Sequence, residues 1–76
     1  MITAKCISSI EPWSGKPYKS IEVGKEYEVK SIDMGSSMTY ILLTNIFTWF
    51  NSICFDFFED GKPLNIYEDE RFNPYL

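Results

Sequence analysis

Met38-Thr39-Tyr40-Ile41-Leu42-Leu43-Thr44-Asn45-Ile46-Phe47-Thr48-Trp49-Phe50-Asn51-Ser52-Ile53-Cys54-Phe55-Asp56-Phe57-Phe58 is the stretch on which the fold turns. No charged residue stands between Asp33 and Asp56, while charges are frequent on either side. Such a run has to be hidden in a core, in a membrane or against a partner. A spanning helix needs about 20 predominantly apolar residues. Here Thr39, Thr44, Asn45, Thr48, Asn51 and Ser52 interrupt the run, and Gly35-Ser36-Ser37 precede it. Ile, Thr, Phe, Tyr and Trp favour strands, so the run reads as sheet and not as a membrane span.

Within it, Met38 to Thr44 is apolar on both alternating sets, the mark of a central strand covered on both sides, or covered on one side and used for contact on the other. Asn45 turns the chain, and Ile46 to Phe50 reads as a further strand with Phe47 and Trp49 on one face. Asn51-Ser52-Ile53-Cys54 reads as a single helical turn or kink before Phe55. Phe55 and Phe57 share a face and Phe58 falls on the other, because side chains alternate along a strand.

Working outward, Ile2 to Ser9 alternates loosely as a half-buried strand. Ile10 to Ile21 carries Pro12, Ser14, Gly15, Pro17 and Ser20 and reads as a long loop, with Trp13 and Tyr18 either anchoring it or offering a binding surface. Loops of this length without structure of their own are uncommon in small domains. Gly24 makes a turn, and from Glu26 the residues Tyr27 and Val29 alternate with Glu26, Glu28 and Lys30 as a strand with one wet face. Asp33 to Ser37 turns the chain into the central stretch. Beyond it, Phe55–Glu59 and Leu64–Tyr67 flank Asp60-Gly61-Lys62-Pro63, and Asp-Gly between strand-like runs predicts a hairpin. Glu68 to Leu76 reads as a helical turn followed by an extended aromatic tail.

Five to six short strands with one long early loop imply an all-β fold, a small closed or nearly closed barrel, since closure hides strand edges. Residues 1–76 form one domain. A chain this short buries roughly 60% of its unfolded surface, and six Phe, five Tyr and two Trp supplement that thin core. Cys6 and Cys54 lie in apolar surroundings and are expected to be buried and reduced. With no basic and apolar leader at Met1 to Cys6, the expected location is the cytoplasm.

The order of a short strand ending at Lys5-Cys6, a polar loop, Val23-Gly24-Lys25-Glu26-Tyr27-Glu28-Val29 and a strand after a Gly turn resembles small SH3-like barrel proteins of bacteria and their phages. Trp49-Phe50-Asn51-Ser52-Ile53-Cys54-Phe55 matches their aromatic pair leading through a helical turn into the last strand. The resemblance covers roughly residues 2–57 and implies an SH3-like barrel core there. Residues 58–76 are then a C-terminal hairpin and tail extension. Thr48 and Asn51 stand where those proteins carry a Gly or charge and a Pro, so the peptide groove of signalling SH3 domains does not carry over.

The chemistry points away from catalysis. The chain has no His, the commonest general base near neutral pH, and neither Cys has a partner base in view. Glu68-Asp69-Glu70 reads as a solvated turn. No enzyme activity, no cofactor and no metal site is expected. Net charge is −4, and the whole excess lies beyond Phe55, where six acids face Lys62 and Arg71. An acidic field repels phosphate backbones, which disfavours direct nucleic-acid binding.

Phe47, Trp49, Phe50, Phe55, Phe57, Phe58, Phe72 and Tyr75 exceed what one small barrel interior holds. Surplus aromatic surface marks interfaces. The expected function is therefore a non-enzymatic protein-interaction module, of phage or prophage kind by the resemblance, that binds a host protein or forms a homodimer. Its candidate binding residues are Trp13, Tyr18, Trp49, Phe58, Tyr67, Phe72 and Tyr75. Two other readings fit: a protein that sequesters a small ligand or nucleotide on Trp and Tyr rings, and an acidic inhibitor of a basic nucleic-acid-binding host protein.

Overall fold

The computed structural model describes residues 1–76, and it is all-β apart from two short 3-10 turns. The strands are β1 (Ile2–Cys6), β2 (Glu26–Met34), β3 (Thr39–Leu43), β4 (Trp49–Asn51), β5 (Phe55–Glu59) and β6 (Lys62–Leu64). All pairings are antiparallel, in the spatial order β4-β3-β2-β1-β5-β6. The sheet is open, since β4 and β6 are its two edges and do not pair with each other. The expectation of barrel closure is corrected to this extent. Each edge strand spans only three residues, a length that limits edge-to-edge pairing without closure.

Strand β2 is the hinge of the sheet. Glu26 to Glu28 pair with β1, whereas Val29 to Met34 pair with β3. The register slips between Val29 and Ser31, leaving Lys30 as the extra residue of a bulge. The sequence demands this slip. Its apolar positions are Tyr27, Val29, Ile32 and Met34, so strict alternation would turn one half outward. With the bulge, all four pack against the core.

That core joins Ala4, Cys6, Ile21, Ile41, Leu43, Phe50, Cys54, Phe55, Phe57 and Ile66. Phe50 is fully buried between Tyr18, with ring centroids 4.9 Å apart, and Phe55, at 6.1 Å. Both cysteines are free and buried, and burial pushes both thiols up from their usual range.

Several boundaries differ from the expectation. Strand β1 ends at Cys6 because the amides of Ile7 and Ser8 leave it to donate to Cys54 O. Strand β4 begins only at Trp49, since Asn45 takes a left-handed conformation (φ 67°) and Ile46 N–H closes a turn onto Leu43 O. The helical turn after β4 is present as Ser52–Cys54, capped by the Asn51 side chain accepting from Ile53 N–H at 3.2 Å. The hairpin turn is also present: Asp60 and Gly61 have φ of 51° and 83° between paired Glu59 and Lys62, a combination typical of a two-residue I′ loop. The expected strand over Leu64–Tyr67 is not formed as such. Asn65 caps a 3-10 turn at Ile66–Glu68, accepting from Tyr67 N–H at 3.1 Å, and so bends the backbone out of β6.

The early loop has structure of its own. An isolated bridge joins Ile10 and Pro17, and Glu11 N–H donates to Lys16 O at 2.8 Å. The Glu11 carboxylate accepts from Ser14 N–H at the tip, which holds that carboxyl below its usual range. Trp13 projects from this small tip.

Candidate functional site

The loop, the β2–β3 turn, the first 3-10 turn and the C-terminal segment meet at one groove of about 480 Å³. Trp13 comes from the loop tip. Met34 to Thr39 form the turn. Asn51, Ser52 and Ile53 supply the floor, and Tyr67, Asn73 and Tyr75 close the far side. None of these residues carries a charge. The volume lies in the range of small-ligand and peptide sites.

Local hydrogen bonds set each wall. Gly35 N–H donates to Met38 O at 2.8 Å, and a Cβ at Gly35 would lie 2.8 Å from that same oxygen, so the turn is closed tightly around glycine. The hydroxyls of Ser52 and Tyr67 are 2.6 Å apart and tie the floor to the far wall. Asn73 Nδ2 donates to Tyr67 O at 2.6 Å, and its Oδ1 accepts from Tyr75 N–H at 2.9 Å. The hydroxyls of Ser52 and Tyr67, the Asn51 Oδ1 and the Asn73 carboxamide are thus engaged within the protein. The groove therefore offers ring faces and the Met34 thioether together with the hydroxyls of Ser36 and Ser37.

The candidate binding residues divide among five places. Trp13, Tyr67 and Tyr75 share the groove, with Trp13 74% and Tyr75 62% exposed. Tyr18 anchors its loop: it is half-buried against Phe50, and its hydroxyl accepts from Asn51 N–H at 3.3 Å. Burial raises its phenol above the usual range. Phe72 packs on the core. Phe58 lies opposite Pro63 on the other side of β5, in a more open hollow with Asp56, Phe57, Leu64 and Asn65. Trp49 sits across from Leu42 on β4, near the chain's most exposed ring, Phe47, at 89%.

Sequence reasoning missed Met34, Met38, Asn51 and Asn73 as groove residues. A usable signal existed for the methionines, because they flank Gly35-Ser36-Ser37 and a tight turn brings its flanks together. No such signal exists for Asn73, whose place depends on tertiary docking.

A family model described as Bacteriophage T4 protein Y07B matches residues 15–76, all of the chain beyond Ser14. The chain belongs to this family. Membership supports the phage association expected from the resemblance, and its description states no activity. No curated protein and no solved structure matches the chain. No helix is long and apolar enough to cross a membrane.

Proposed function

We propose that this chain is a non-enzymatic phage accessory protein whose groove takes a segment of a host protein. The observation that carries this reading is the convergence of Trp13, from the early loop, with Tyr67 and Tyr75, from the C-terminal segment, on one uncharged groove. Aromatic rings and Met are enriched where proteins meet, and charge is depleted there. Met34 and Met38 add flexible, polarisable contacts that adapt to a ligand's shape. The occupant favoured is neutral or basic with at least one large apolar side chain. Glu68 and Glu70, exposed beside Tyr67 and without ion pairs, disfavour an acidic one.

The groove argues against nucleotide sequestration, because no Lys or Arg lines it to meet a phosphate. In fold terms, we read the sheet as an SH3-like arrangement opened between β4 and β6, a reading supported by the bend of β2 at Lys30. Two free buried thiols support the cytoplasm as the place of action.

Peptides selected from a random library against the whole chain, then mapped by 15N chemical shifts, test the proposal. Shifts are expected at Met34–Met38, Asn51–Ile53, Tyr67 and Asn73. Shifts confined to Phe58 or to β4 would refute the groove as the site.

A second reading, self-association, is favoured by the exposure of Phe47 beside Trp49 at a sheet edge. Light scattering at high concentration distinguishes it: a monomer unchanged by dilution rules it out.

A further inference from the structure

The wall of the groove that carries Asn73 and Tyr75 is built from the last residues of the fold, and the bonds holding it form a continuous chain back to the sheet. Arg71 Nη1 and Nη2 donate to the two carboxylate oxygens of Glu59 on β5, at 2.9 and 2.7 Å. The same guanidinium donates from Nε and Nη2 to Asp69, at 3.0, 3.1 and 2.6 Å. Asp69 then organises the turn that follows. Its carboxylate accepts from Arg71 N–H at 2.9 Å, and its carbonyl accepts from Phe72 and Asn73 N–H at 3.0 and 2.9 Å. Asn73 passes the order on to Tyr67 and Tyr75.

We propose that Arg71 is the positioning residue of the groove, an ionic clasp on Glu59 and Asp69 that sets residues 69–75 as a strap forming one wall. This deepens the groove reading and takes its biological meaning from it, but its test needs no ligand.

Two features single out Arg71 rather than general tail packing. Its planar fork can satisfy both carboxylates at once, which a lysine ammonium cannot do with the same geometry. It is also the one cation besides Lys62 in the acidic third of the chain, and Lys62 makes no ion pair. Its guanidinium lies 5.1 Å from the Phe72 ring, so the clasp sits against the strap's apolar anchor. The Arg71 side chain is half exposed, so salt or a competing partner carboxylate can reach it. Groove assembly is thereby coupled to ionic conditions and to any ligand that competes for Arg71.

15N relaxation of the full chain tests the clasp. In wild type, amide order parameters of Asn73 and Tyr75 are expected to match that of Phe57, near about 0.85. In R71Q they should fall below about 0.6 while Phe57 is unchanged, and raising NaCl to about 1 M, where the screening length is roughly 3 Å, should loosen wild type in the same direction. Arg71→Lys should recover only part of the order. Unchanged order at Asn73 and Tyr75 in R71Q overturns the proposal. Should R71Q loosen β5 as well, Glu59→Gln decides: strap order kept at the wild-type value there also overturns it. An intact clasp with no groove-directed peptide would sink the groove reading alone.

Discussion

The hydroxyls of Ser52 and Tyr67 lie 2.6 Å apart, joining the 3-10 turn after β4 to the 3-10 turn after β6. Ser52 is almost fully buried, so its Oγ needs this partner. Burying an unpaired hydroxyl costs about 1–3 kcal/mol, while removing both partners can be nearly neutral. Tyr67→Phe is therefore expected to lower unfolding stability by about 1–2 kcal/mol, and Ser52→Ala combined with Tyr67→Phe to lose less than the sum of the two. Urea denaturation of the four chains in the cycle measures this, and strict additivity would show that the two hydroxyls do not interact.

Gly35 governs the opposite wall. A methyl placed there meets the Met38 carbonyl oxygen at 2.8 Å, a backbone atom that yields only if the turn opens. Gly35→Ala should cost about 1–3 kcal/mol by overpacking and shift the Met34, Ser36 and Met38 amides. Gly61→Ala tests a different cause, because its Cβ meets nothing but φ is 83°. It should destabilise by about 1–2 kcal/mol from left-handed strain, with no change at the groove. Equal amide shifts at the groove for both variants would contradict this account.

The clasp has a pH signature. Hydrogen bonds from Arg71 hold the carboxyls of Glu59 and Asp69 below the usual carboxylate range. A folded value below the unfolded one means that the contribution is present above the unfolded value. It is lost as pH falls through the folded value. The strap should therefore stay docked through the ordinary carboxylate range of about 4 and loosen only below it. Carboxyl 13C titration should give low midpoints for both groups, and Arg71→Gln should return Glu59 to the ordinary range. Ordinary midpoints in wild type would contradict the clasp.

Much of the sheet was legible because alternation is a local signal. Phe55, Phe57 and Phe58 divided between faces as the period of two requires, and Asp60-Gly61 made its hairpin. The two Asn-capped turns show where local reasoning weakened. Asn51 stands before a run that breaks alternation and so signals a turn, whereas Asn65 lies inside Leu64 to Tyr67, which alternates like a strand and hides the same capping role. Closure is not legible for another reason. Nothing local tells whether β4 and β6 meet, since that depends on how far the sheet bends at Lys30. For the groove, the sequence offers Trp13, Tyr67 and Tyr75 only as members of a longer set of candidate binding residues, with nothing to bring these three together. Their convergence rests on tertiary contacts, the Ser52–Tyr67 pair and Asn73 between Tyr67 and Tyr75, which leave no periodic trace.

If the groove, rather than the β4 edge, is the binding surface, substitutions at Trp13 and Trp49 have different effects on binding. Both are exposed, so neither substitution should threaten the fold. For a library-selected peptide, Trp13→Ala should raise Kd about tenfold or more, the cost of losing roughly 1.4 kcal/mol or more at a central aromatic contact, and Trp49→Ala should leave it unchanged. A Kd that rises for Trp49→Ala and stays at the wild-type value for Trp13→Ala would contradict the account.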